Sequence, residues 1–248
     1  MYEGGESMYN GENNYGLRTY EEQYDAIKGM NTYIAKVFGW MFIGLLLTAA
    51  VGFYVSGNID LVLAIATNPI LLFGLFIAEI VMVIVLSARI TKLSYGAAIG
   101  LFLAYAAING LTFSIIFLAY TSGSIATAFG TTAITFGIMC VYGYFTRADL
   151  TRFRTLLFMG LIGVLVLSVV NIFLGSSSID WLISIVSLFV FLGLTAYDMQ
   201  RLKAFYFGTE GNSALRNNLG IIGALRLYLD FINLFLTILR FVGGRNSR

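Results

Sequence analysis

Long, unbroken apolar runs, rather than the alternation of a half-buried strand, set the pattern of this chain. A helix that crosses a bilayer needs roughly 20 mainly apolar residues. Runs of that kind occur near 34–55, 70–88, 95–119, 125–145, 156–174, 181–197 and 219–241. The stretch from Leu93 to Thr146 carries no charge and is too long for one span, and "TSGS" at 121–124 supplies the turn that splits it. Pro69, in "TNPI", fits the first turn of the second span. The pattern predicts seven transmembrane helices over 32–243, preceded by a polar, disordered cytoplasmic tail at 1–31.

Composition strengthens this reading. Of 248 residues, 58% are hydrophobic and 11% charged, and the mean hydropathy is +0.84. The expected class is an all-α polytopic membrane protein, with the lipid bilayer as its first partner. The polar start is unlike a cleavable secretory signal. A net charge of +2 with no basic stripe gives no reason to expect nucleic acid. The chain has no histidine, which excludes Ser-His-Asp catalysis, His-ligated zinc and a histidine pH switch. Its one cysteine, Cys140, lies in an apolar run and reads as a buried hydrophobe. Carboxylates, arginines, hydroxyls, amides and backbone remain, and no cofactor is expected.

Lys and Arg in the short loops give the orientation. Lys28 and Lys36 flank the first span, Arg89 and Lys92 follow the second, Arg147, Arg152 and Arg154 the fourth, and Arg201, Lys203 and Arg216 the sixth. The alternate loops near 56–61, 120–124 and 175–180 have none. This places the N-terminus in the cytoplasm. The last segment is long enough to cross, yet a crossing puts Arg240, Arg245 and Arg248 on the opposite side, against the rule; a re-entrant return is the alternative. Gly96, Gly100, Ala104, Ala106 and Gly110 form a small-residue theme on the third span, expected to serve close helix packing.

Ionisable groups at bilayer depth are costly and are usually paired or functional. Glu79 lies mid-span in "LFGLFIAEIVMVIVLSAR" with no cation within a helical turn. Asp198 ends the sixth run in "FLGLTAYDMQRLK". Asp230 lies within "ALRLYLDFINLFLTILR", four residues after Arg226, close enough on one face to pair with it. Asn233 follows Asp230 by three and is a candidate to orient it, while Asn109 and Asn171 read as satisfied core amides.

The motifs "AYDMQRLK" and "LYLDFINLFLTILRF" resemble the two terminal motifs of the Bax inhibitor-1 family, also called the transmembrane BAX inhibitor motif family. "TYIAKVFGWMFIGLLLTA" and "YGYFTRADLTRF" look like its bacterial branch, and the likeness runs from about Thr32 to Gly243. The resemblance implies seven helices with the last in the centre of the bundle, a bacterial cytoplasmic (inner) membrane, and a pH-sensitive calcium leak. It also implies an aspartate pair, here Asp198 and Asp230, that senses pH and lines the ion path. An arginine latch at the end of the second helix would fall to Arg89, but an ungapped alignment puts Ile90 there. A slip of one residue turns a side chain by about 100°. Glu79 falls where some relatives carry an acid, and Arg226 and Asn233 would support the pair.

The physics of the pair stands by itself. Two carboxylates within hydrogen-bond reach in a dry site cannot both ionise cheaply, so they share a proton and titrate as a unit. Protonation is expected to hold the last two segments together, and deprotonation to free oxygen ligands. Calcium, the expected transported ion, takes six to eight oxygens. Asp198 and Asp230 with water and carbonyls would hold it weakly and transiently.

Two other classes compete. A membrane interaction protein, modulating a membrane protease or other complex, would use the tail as its handle, where Glu3, Glu6, Glu12, Glu21, Glu22 and Asp25 alternate with Tyr2, Tyr9, Tyr15, Tyr20 and Tyr24. An intramembrane aspartyl enzyme would also need a "GLGD"-type motif, which the sequence lacks; the expectation is that the chain is not an enzyme.

Overall fold

The computed structural model describes residues 6–243, with side chains from residue 20 onward. Its elements are helical: α1 (Glu6–Ser56), α2 (Ile59–Thr67), α3 (Pro69–Arg89), α4 (Tyr95–Ala119), α5 (Ser122–Phe145), a 3-10 turn (Leu150–Phe153), α6 (Arg154–Leu174), α7 (Ser177–Phe207) and α8 (Ser213–Val242). Seven of the helices are long and apolar enough to cross a membrane; α2 is the short exception. α1 passes residue 31 without a break. The tail's residues up to 19, proposed as a partner handle, lie outside those with described side chains.

Local chemistry starts and stops these helices. Asn68 accepts from the amides of Ile70 and Leu71 and Pro69 takes the first position of α3, as its fixed φ and missing N–H favour. Ser94, Thr121, Ser176 and Asn212 cap α4, α5, α7 and α8 in the same way. Thr121 is the capping residue of the "TSGS" turn. Gly175, at φ 60°, closes α6 in the left-handed region where a Cβ is penalised. α7 continues to Phe207, past the apolar run, because its polar last turns are tied down: Lys203 Nζ donates to the Tyr144 carbonyl and Gln200 Nε2 to that of Ala148.

Burial is distributed unevenly. In the most apolar window of α8, 78% is buried, against 6% in α3 and in α6. α8 packs against α1, α4, α5 and α7. Tyr228, fully buried on α8, bonds Thr48 of α1 at 2.6 Å and meets Phe102 and Tyr105 of α4 edge-on. α8 also runs from one end of the bundle to the other. Near its start Asn218 Nδ2 donates to the carbonyls of Ile90 and Leu93 in the α3–α4 turn, and just past its end Gly243 packs on the Tyr120 ring in the α4–α5 turn. One unbroken helix thus links the two ends of the bundle, without the turn that a re-entrant return needs.

The small-residue stripe behaves differently from expectation. Ala106 is fully buried and Gly110 lies against Val51 and the Thr48 carbonyl of α1, so these two do permit close approach. Gly96 and Gly100 face open space and Ala104 is exposed. The spacing of small residues marks a face but not its direction. On α4 the inward side is set by Phe102, Tyr105, Ala106, Asn109 and Phe113.

Candidate functional site

Asp198 and Asp230 both belong to the seam between α7 and α8. Asp198 is 7% exposed and Asp230 5%. The Arg226 guanidinium donates from Nη1 to Asp198 Oδ1 at 3.1 Å, the one ion pair among the described residues. Arg226 therefore reaches across to α7 and does not pair with Asp230 on its own helix. The cation-before-acid order is the weaker arrangement for an i, i+4 pair on a helix, and the contact across to α7 prevails.

Asp230 is left with Oδ2 buried and without a hydrogen-bond partner, and the Arg226 Nε is likewise buried and unpaired. The two aspartates interact electrostatically, and Asp230 also acts on the buried Cys140 thiol of α5. Arg201, three residues along α7 from Asp198, also acts on it; its Nη1 is buried without a hydrogen-bond partner and its guanidinium lies 5.1 Å over the Phe205 ring. The seam thus holds two carboxylates, of which Asp198 alone is bonded to a guanidinium. Among the described residues no three Asp, Glu, His or Cys side chains cluster as a metal site, so a cation here would depend on two carboxylates, carbonyls and water.

Asn233 does not orient Asp230: its Nδ2 donates to the Leu229 carbonyl one turn back. Arg89 stands exposed in the last turn of α3 and makes no ion pair among the described residues, while the neighbouring Ile90 is buried. Asn171, buried in the last turn of α6, is a satisfied amide as expected, accepting from the Ser176 amide and donating to Asp180.

Glu79 belongs to a second region. Its Oε1 accepts from Thr112 of α4 at 2.7 Å, in a cavity of about 740 Å³ bounded by α3, α4, α6, α7 and α8. Asn109 also lines the cavity and donates to the Tyr105 hydroxyl at 3.3 Å, leaving its own Oδ1 buried and unpaired. Ser168 of α6, Ser187 of α7, and Asn233, Thr237 and Arg240 of α8 complete the polar lining. Sequence reasoning missed Thr112 and treated Arg240 only as a tail charge. The one available signal was the position of Arg240, ten residues beyond Asp230 on an otherwise apolar helix.

Comparison with known proteins agrees with this architecture. Residues 30–247 match the family described as Inhibitor of apoptosis-promoting Bax1. The chain is 49% identical over 219 residues to Inner membrane protein YbhL of Escherichia coli (strain K12), covering 88% of this chain and 93% of that one. It is 42% identical over 229 residues to an uncharacterized protein of Borreliella burgdorferi, covering 92% and 98%. A third relative, from Deinococcus radiodurans, is 38% identical over 225 residues, covering 90% and 95%.

Proposed function

This chain belongs to the Bax inhibitor-1 family and is an integral membrane protein; on that premise we propose that it is a pH-sensitive calcium leak gated by the Asp198–Asp230 pair. The observation that supports this reading is the charge imbalance of the α7–α8 seam. With both carboxylates ionised, Asp198 has the Arg226 guanidinium bonded to it and Arg201 one turn along α7, whereas Asp230 carries a buried charge that no cation bonds. A proton is the smallest cation that restores balance, and a passing cation is the alternative.

With the proton bound, Arg226 holds Asp198 and the seam stays shut. Loss of the proton leaves two ionised carboxylates repelling each other inside the bundle, α7 and α8 separate, and the freed oxygens serve as transient ligands for calcium. Because Arg226 occupies an oxygen of Asp198, passage of an ion requires that bond to open. In this reading Arg226, rather than Arg89, holds the closed state, and Glu79 supplies a further oxygen along the path. The activity is transport without chemical turnover and with no resident cofactor. The name of the Escherichia coli relative, an inner membrane protein, supports an inner-membrane location, and the loop charges support a cytoplasmic N-terminus.

The test is calcium flux into proteoliposomes across the neutral pH range, with the natural chain beside Asp198→Asn and Asp230→Asn. Flux of the natural chain is expected to rise with pH, and each substitution to flatten that dependence. Equal silence of three folded proteins at every pH would sink the proposal.

A further inference from the structure

The cavity that holds Glu79 is a groove open on its side. Phe76, Ile80 and Ile84 of α3 and Leu165 of α6 line it and are themselves exposed, so the opening lies between α3 and α6 and faces the bilayer. At the end of the bundle where α8 finishes, the groove adjoins a smaller cavity of about 460 Å³ lined by Ser168, Asn171, Ser177, Asp180 and Arg240. Ser168 and Arg240 line both. The two compartments differ in chemistry: one is long and mainly apolar, the other is polar and carries one cation and one anion. Each is within the size range of small-molecule sites.

Arg240 and Asp180 do not pair with each other, since the one ion pair among the described residues is Arg226–Asp198. Asp180 Oδ1 accepts only the neutral Asn171 amide, at 3.2 Å. A cation and an anion that share a cavity mouth without meeting fit a molecule that is itself zwitterionic. The polar groups along the groove are mostly spent within the protein, Thr112 on Glu79, Asn233 on Leu229, Thr237 on Asn233 and Ser168 on Val164, and Ser187 is buried. Asn109, which also lines the groove, keeps one buried oxygen, Oδ1, without a partner. What the groove presents is therefore compatible with hydrocarbon.

We propose that this pair of cavities is a specific phospholipid site, with an acyl chain in the groove, the phosphate on Arg240 and a primary ammonium on Asp180. A phosphoethanolamine headgroup meets both charges and can donate to the carboxylate. A choline headgroup has no N–H to donate, and a glycerol headgroup leaves Asp180 facing net negative charge. The seated chain fills the apolar length of the groove alongside Glu79 and Thr112. The site holds whether or not the chain passes ions.

Native mass spectrometry of the whole protein in mild detergent tests this, titrating phosphatidylethanolamine, phosphatidylcholine and phosphatidylglycerol in parallel. Phosphatidylethanolamine is expected to bind tightest. Arg240→Gln, at an exposed position, is expected to weaken it about tenfold, the equivalent of one charge-assisted contact. Asp180→Asn is expected to narrow the gap between ethanolamine and glycerol headgroups. Ser168→Phe, which narrows the junction without touching either charge, is expected to weaken all three lipids. Retention that ignores headgroup and is unchanged in Arg240→Gln and Ser168→Phe would show an annular lipid only and overturn the proposal.

Discussion

The α7–α8 seam and the Glu79 groove place the same kind of group, a carboxylate at bilayer depth, under opposite conditions. In the seam Asp198 and Asp230 are almost wholly buried; Asp198 is bonded to a guanidinium from the facing helix, and Asp230 Oδ2 has no partner. In the groove Glu79 is half-buried beside an open cavity and bonded to a neutral hydroxyl. The seam must balance charge because solvent cannot enter to do so; the groove can leave the balance to whatever fills it. Burial of the surrounding helices follows the same division. α8 is enclosed by four helices, whereas α3 and α6, the groove's walls, are barely covered by protein.

The sharpest way to break this contrast is to remove the seam's cation. Arg226→Met keeps most of the side-chain volume and leaves two buried carboxylates without their guanidinium. Breaking a buried pair from one side costs about 3–5 kcal/mol. A large drop in the thermal unfolding midpoint of the detergent-solubilised protein is expected, and adding Asp198→Asn to the same chain should recover most of it. A single variant as stable as the natural protein would mean that the seam does not carry the charge assigned to it.

In the groove the equivalent disturbance should be milder. Thr112→Val deletes the hydroxyl that bonds Glu79 while nearly conserving shape. The net worth of such a hydrogen bond is about 1 kcal/mol, and Glu79 can turn to water in the open cavity. A small shift in midpoint is expected from the same measurement. A loss as large as that of Arg226→Met would show the groove to be as sealed as the seam.

The two regions also differ in how far they were legible beforehand. All seven spans were, because hydrocarbon thickness forces long apolar runs whatever the tertiary contacts. Asp198 and Asp230 stood out as charges in apolar surroundings, and the family resemblance joined them. The partner of Arg226 was not legible: the same-helix spacing to Asp230 competed with a contact to α7 that only the packed bundle supplies. Thr112 and Glu79 are 33 positions apart and on different helices, so nothing local connects them. α2 was missed because its nine residues are too few to span and sit between polar turns.

The least disruptive substitution tests the outer face of α4, the helix whose inner face carries Thr112. Gly100 lies inside that helix, and a Cβ built there meets nothing within 4 Å. Glycine in a helix interior costs roughly 0.5–1 kcal/mol relative to alanine through the freedom of the unfolded chain. Lipid in place of water reduces that gain, because the unfolded reference in a membrane is itself largely helical. Gly100→Ala is therefore expected to leave the midpoint unchanged or raise it slightly, with no change in flux or lipid retention. A clear loss would mean that the face is covered in the membrane by a second copy or another protein. The small-residue stripe would then be a packing surface after all, between chains instead of within one.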